Sequence, residues 1–79
     1  MATPGALEAI DRETALKAIR RHAAGDWGEL DAEDKAANDA ALKSGGRLLS
    51  RYLSAAGEPF WIITEADRSA TTVLLPDEY

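Results

Sequence analysis

The chain has no cysteine and only one histidine, and these two facts exclude several kinds of catalytic and metal-binding site. Without cysteine there is no disulfide framework, no thiol nucleophile, no iron–sulfur cluster and no zinc site built on thiolates. With His22 as the only imidazole, a catalytic metal centre with several histidine ligands is excluded as well. We therefore expect neither a metal nor any other cofactor.

Large apolar residues and long apolar runs are also scarce. Hydrophobic residues make up 46% of the 79 positions, but sixteen of them are alanine. A chain of this length buries only about 60% of its unfolded surface, so we predict a single small domain over residues 1–79. No apolar run approaches the roughly 20 residues that span a bilayer, and no targeting segment is recognisable. We expect a cytoplasmic protein with no membrane partner.

Basic residues are outnumbered, with nine lysines and arginines against fourteen aspartates and glutamates. The net charge of −5 argues against direct binding of nucleic acid, whose phosphates attract a basic surface. The acidity is concentrated in residues 25–43, which contain six carboxylates and two lysines, whereas residues 1–24 have a net charge of +1.

The N-terminal half has the capping signals of three helices. Thr3, followed by proline, predicts the cap of a short first helix. Asp11 predicts the cap of a second helix, in which Leu16, Ile19 and Ala23 recur at the spacing of one face and are expected to point into the core. A third helix is predicted from an N-cap at Asp31 to a stop at Gly45. Its inward face is expected to consist of Leu30, Ala37, Ala41 and Leu42.

The C-terminal third changes to short runs rich in β-branched and aromatic residues, at residues 47–54, 59–65 and 71–75. The middle run is apolar on both faces, so we place it at the centre of a sheet. The predicted fold is α+β, a three-stranded antiparallel β-meander in the C-terminal half packed against two or three N-terminal helices. The helices cover one face of this sheet, and we hypothesise that a homodimer partner covers the other, since three strands also leave two edges to protect.

The carboxylates around the start of the third helix are open to two interpretations. They are either a negative surface that meets a basic protein groove, or residues favoured at this place by the helix dipole and by capping. Trp27, in a Gly-Asp-Trp-Gly loop, is predicted to be partly exposed beside them. The candidate partner-binding residues are Asp26, Trp27, Glu29, Asp31, Glu33, Asp34 and Asp39.

No set of acid, base and nucleophile can be assembled, so we do not expect an enzyme. His22, near a helix end, is predicted to be exposed or half-exposed. The turn at residues 65–69 is interpreted as turn chemistry, with Asp67 capping its own turn and Arg68 pairing with a carboxylate. Trp61, in the apolar middle strand, is expected to belong to the core.

Several motifs occur together: Thr3-Pro4-Gly5-Ala6-Leu7, Arg21-His22, Gly25-Asp26-Trp27-Gly28, Asp34 with Asn38, Leu49-Ser50-x-Tyr52, and the long block from Trp61 to Tyr79. They resemble a family of short bacterial proteins carried on plasmids and other mobile elements. Members are usually named "plasmid-related protein" or "type I restriction endonuclease subunit M". The resemblance covers nearly the whole chain. The chain departs from the family pattern mainly at residues 8–20 and at Ala37.

The methyltransferase role that the second name suggests is excluded on physical grounds. Such a subunit needs a cofactor pocket on a βαβ scaffold and a second pocket for a flipped base. A chain of 79 residues with no glycine-rich strand–helix turn provides neither.

The size, acidity and mobile-element character are similar to those of small anti-CRISPR proteins that inhibit type I-C systems. This resemblance implies binding to the crRNA-guided surveillance complex (Cascade), at a Cas7-type backbone subunit, so that target DNA is blocked. Because the complex holds DNA in a positively charged channel, acidic residues would be steered to it. The alternative is a regulatory or accessory homodimeric interaction module of a plasmid or prophage, with no CRISPR target.

Overall fold

The computed structural model describes residues 1–79, and it confirms the predicted α+β meander. In chain order the elements are α1 (Pro4–Ala9), α2 (Arg12–Ala23), α3 (Ala32–Ser44), β1 (Leu48–Leu53), β2 (Pro59–Thr64), β3 (Thr71–Leu74) and a 3₁₀ turn at Pro76–Glu78. Thr3, Asp11 and Asp31 cap the three helices as predicted. The longest helix has 13 residues, and none is long and apolar enough to cross a membrane.

The main core lies between the sheet and the first two helices. β2 is the central strand and pairs antiparallel with both neighbours. The sheet contributes large side chains to this core and the helices contribute mostly small ones. The core residues are Tyr52, Phe60, Ile62 and Val73 from the sheet, with Ala6, Ile10 and Ala18 from the helical half.

The buried face of α2 is not the one predicted from its periodicity. Ala18 and His22 are buried, whereas Leu16 and Ile19 are 43% and 37% exposed and Ala23 is exposed. The large side chains of the sheet fill the space beneath this helix, so the facing positions must be small for the helix to approach. The predicted inward face of α2 was therefore wrong.

A polar residue holds α3 against the outer edge of β1. The buried side chain of Asn38 donates to the carbonyl oxygen of Leu49 (2.6 Å) and accepts from the Leu49 N–H (3.1 Å). Ala41 is buried as predicted, whereas Ala37 and Leu42 are exposed and were wrongly placed on the inward face. The helix therefore satisfies an edge of the sheet and adds little apolar packing.

The chain closes the rest of both sheet edges with its own backbone. Beside β1, the Arg51 N–H donates to the Trp27 carbonyl (3.1 Å) and the Glu29 N–H donates to the Arg51 carbonyl (2.6 Å). Beside β3, the Thr3 N–H donates to the Val73 carbonyl (3.0 Å). Both edges are thus occupied by the chain itself, and a homodimer that covers the outer face of the sheet stays a prediction.

Trp61 lies on the sheet face that points away from the helices, and it is half-buried there, outside the main core. Its ring meets the ring of Tyr79 edge-to-face, with the centroids 5.4 Å apart. Arg47 donates to the Tyr79 hydroxyl (2.8 Å), so the C-terminal residue folds back over this face.

The prediction that Arg68 pairs with a carboxylate was wrong. Its guanidinium donates to backbone carbonyls, including Gly46 (2.6 Å) and Ala41 (3.1 Å) at the end of α3. The backbone of Arg68 is left-handed, with φ of 63°. In the same turn the Asp67 carboxylate accepts a hydrogen bond from the Ser69 N–H, as the turn interpretation predicted. This arginine therefore ties the β2–β3 turn to the C-terminal end of α3.

Candidate functional site: the carboxylates beside α3

The Gly-Asp-Trp-Gly loop carries the chain from α2 to the edge of β1, and its shape requires both glycines. Gly25 and Gly28 have positive φ values of 82° and 76°. A Cβ atom on Gly28 would lie 2.1 Å from the Arg51 carbonyl oxygen and would strike the Tyr52 ring. The close approach to β1 is therefore possible only with glycine at this position.

Asp26 is committed to the shape of this loop. Its carboxylate accepts two hydrogen bonds from the Arg21 guanidinium (2.7 and 3.2 Å) and one from the Gly28 N–H (3.2 Å). The hydrogen bonds from Arg21 and then from Gly28 lower the pKa of Asp26. The Arg21 guanidinium also lies over the Tyr52 ring, 4.8 Å from its centroid. Asp26 is exposed, but its charge is offset by its own arginine.

Trp27 is buried, with 3% of its surface exposed, so the prediction of partial exposure was wrong. Its ring packs with Ala41 and Leu48, and its indole N–H donates to the Asp39 carboxylate (2.9 Å). Trp27 therefore positions α3 from inside the protein and has no surface with which to bind a partner. Asp39 is exposed, but one of its oxygens is occupied by this bond.

Three of the predicted carboxylates, Glu29, Glu33 and Asp34, are exposed, and their side chains have no hydrogen-bond or salt-bridge partner. We call these three residues the acidic surface. Asp31 stands among them but acts as the N-cap, accepting from the Asp34 N–H (2.8 Å). The structure thus separates the predicted set into structural members and free carboxylates.

The position of Asp39 also sets it apart from the first turn of α3. Residues 33 and 39 are six positions apart, which puts their side chains about 120° apart around the helix. Asp39 also lies about 9 Å further along the helix axis than Glu33, whereas Glu33 and Asp34 both belong to the first turn.

His22 is buried in the core, contrary to the prediction of exposure. Its Nδ1 lies 2.5 Å from the Ser50 hydroxyl and its Nε2 lies 2.8 Å from the Thr64 hydroxyl. The Thr64 hydroxyl also bonds to that of Thr71 (2.9 Å). A neutral imidazole donates through one nitrogen and accepts at the other, so this network satisfies it. Since Ser50 is fully buried, the histidine–serine pair is a structural contact.

This burial makes stability depend on pH. Burial lowers the pKa of His22 below its usual 6.5, so the folded state takes up the proton less readily than the unfolded state. The free energy of unfolding is therefore expected to fall as pH drops below 6.5, by at most about 1.4 kcal/mol per pH unit. Urea unfolding at several pH values between about 7.5 and 5 measures this, above the range in which carboxylates titrate.

The matched control for this pH effect is His22→Gln, which cannot take up the proton. Its absolute stability is expected to be lower, because the hydroxyl network is altered, but its stability should stay level over the same pH range. Equal stability of the natural chain at both ends of the range would contradict a buried neutral imidazole.

Comparison with known proteins adds no relative: no family model, no curated protein and no solved structure matches this chain. Within the structure, no three histidine, aspartate or glutamate side chains are grouped so that they could hold a metal ion. The mobile-element and anti-CRISPR resemblance therefore stays a prediction.

Proposed function

We propose that this protein is a small acidic inhibitor from a mobile element, which binds the surveillance complex of a type I-C CRISPR system and blocks its target DNA. It acts in the cytoplasm by occupying a surface, with no catalytic step. The acidic surface at Glu29, Glu33 and Asp34 would contact the basic DNA-binding face of a Cas7-type backbone subunit.

The observation that supports this proposal is the freedom of these three carboxylates. They are exposed and unpaired, while the nearby Asp26 and Asp31 are held by hydrogen bonds within the protein. No hydrogen bond or salt bridge within the protein has to be broken before these carboxylates meet a basic groove. A negatively charged protein of this kind associates rapidly with a positively charged channel and competes there with phosphate.

A band-shift assay tests this function. Purified type I-C surveillance complex is mixed with labelled target duplex, with and without the protein. The proposal predicts that near-stoichiometric protein abolishes the shifted band, because the DNA channel is occupied. An undiminished band at a large excess of the protein would contradict it.

A further inference from the structure

The most apolar concavity of the molecule is a groove between α1 and α2, with a volume of about 270 Å³. Its walls include Leu7 from α1, Leu16 from α2 and Val73 from β3, and Arg12 is the only charged residue among them. It lies at the β3 side of the sheet, whereas α3 and the acidic surface lie beside β1. The groove is therefore separate from the surface assigned above.

The fold itself does not explain the apolar residues at this groove. Leu7 is 70% exposed and Leu16 is 43% exposed, and Ile19 follows Leu16 one helical turn later with 37% exposure. The side of α2 that packs on the sheet is made from Ala18 and His22 instead. Leu7 and Leu16 line one apolar concavity, and such a concavity is typical of a surface that binds another molecule.

The charges around the groove indicate the nature of that molecule. α2 contains four basic residues and one glutamate, in a protein whose net charge is −5. Arg12 in the groove wall, and Arg20 two turns further along α2, form no salt bridge. Glu13 is paired with Lys17 (3.3 Å), and the carboxylate of Asp11 is bonded to Thr14. The cations free to meet a ligand therefore flank the apolar residues.

We propose that this groove binds an acidic peptide segment of a partner protein. A large apolar side chain of the segment enters between Leu7 and Leu16, and its carboxylates meet Arg12 and Arg20. A second copy of this chain is a poorer occupant, because two-fold packing of α2 on α2 would oppose two basic helices. An anionic bilayer is disfavoured by the net negative charge of the protein.

The test begins with selection of short random peptides on the immobilised protein, followed by synthesis of the enriched peptides. We expect these to combine a leucine, isoleucine or aromatic residue with neighbouring aspartates or glutamates. Fluorescence anisotropy then measures their dissociation constants. Leu16→Ser and Arg12→Glu should each weaken binding by about ten-fold or more, because each removes one half of the recognition.

Two matched changes on α3 serve as controls. Leu42 is also an exposed leucine, at 52%, and Lys43 is an exposed cation, but both are remote from the groove. Leu42→Ser and Lys43→Glu should leave the affinity within about two-fold. Leu7→Ser provides a second groove variant if Leu16→Ser alters the circular dichroism spectrum.

Several results would overturn this proposal. They are a failure to enrich any peptide, enrichment of basic or uncharged sequences, and peptide affinities that the groove variants do not change. Sedimentation equilibrium showing a dimer that Leu16→Ser dissociates would assign the groove to a second copy. Co-sedimentation of the protein with phosphatidylglycerol vesicles, lost in Leu16→Ser, would assign it to a membrane surface. Since none of these changes touches the acidic surface, failure here leaves the proposed inhibition to its own test.

Discussion

Trp27→Ala is expected to lower the free energy of unfolding by about 3–5 kcal/mol, which is typical of removing a buried aromatic ring. The ring packs with Ala41 and Leu48, meets His22 edge-to-face with the centroids 5.6 Å apart, and donates to Asp39. A domain of this size has a total stability of about 4–12 kcal/mol, so the variant is expected to lose a large fraction of it and to unfold at a much lower denaturant concentration. Chemical denaturation followed by circular dichroism measures the loss.

Two milder changes make this prediction sharper. Trp27→Phe keeps an aromatic ring but removes the N–H that Asp39 accepts, whereas Trp61→Phe removes an indole N–H that has no partner. Trp27→Phe should therefore be the more destabilising of the two, since it alone breaks a hydrogen bond and leaves a cavity inside the α3 contact. Equal losses in the two variants would mean that Trp27 does not anchor α3.

Reversing the acidic surface with Glu29→Lys, Glu33→Lys and Asp34→Lys is expected to weaken binding to the surveillance complex by about 100-fold or more. Each lysine would replace an attraction to the basic groove with a repulsion, and like charges that face each other across an interface cost several kcal/mol. Biolayer interferometry on the immobilised complex measures the affinity, and thermal unfolding checks that the variant remains folded.

The matched control changes three carboxylates elsewhere on the surface to lysine, so that the net charge changes by the same amount. Glu8, Glu58 and Asp77 are exposed, and their carboxylates form no salt bridge. Glu8→Lys, Glu58→Lys and Asp77→Lys should reduce the affinity far less, because they change the long-range field but no direct contact. An equal loss in both triple variants would show that net charge alone governs binding and that the acidic surface is only the start of a helix.

Local signals in the sequence predicted most of the fold. Thr3, Asp11 and Asp31 cap helices by bonding to residues three positions along, and Gly45 ends α3 with φ of 87°. Such contacts depend on neighbours in the chain, so a single sequence reveals them. The strand order followed from the apolar run of β2, in which Phe60 and Ile62 are buried on one face of the sheet and Ile63 on the other.

The errors concern side chains whose partners are distant in the chain. His22 is 28 positions from Ser50 and 42 from Thr64, and Asn38 is 11 positions from Leu49. Nothing in a local pattern shows that such polar groups will find partners in the core, so they were placed at the surface or left unplaced. For α2, periodicity favoured the larger apolar side chains, but the space beside the sheet admits only small ones.

The candidate site was predicted in composition but not in arrangement. The sequence shows directly that residues 25–43 are acidic. It does not show which of these carboxylates are free, because that depends on contacts with Arg21 and with Trp27. The groove between α1 and α2 was not predicted because Leu16, which forms part of its wall, was assigned to the core. A signal for the groove was present, since α2 also contains small residues, such as Ala15 and Ala18, that could pack inward in place of Leu16.

The proposed inhibition depends on an electrostatic contact between this protein and a basic protein groove, and one titration tests this contact most directly. The dissociation constant of the protein and purified type I-C surveillance complex is measured at ionic strengths of about 0.05 and 0.5 M, where the screening length falls several-fold. We expect tight, near-stoichiometric binding at the lower ionic strength and a large loss of affinity at the higher one. No binding at low salt, or an affinity that salt leaves unchanged, would contradict it.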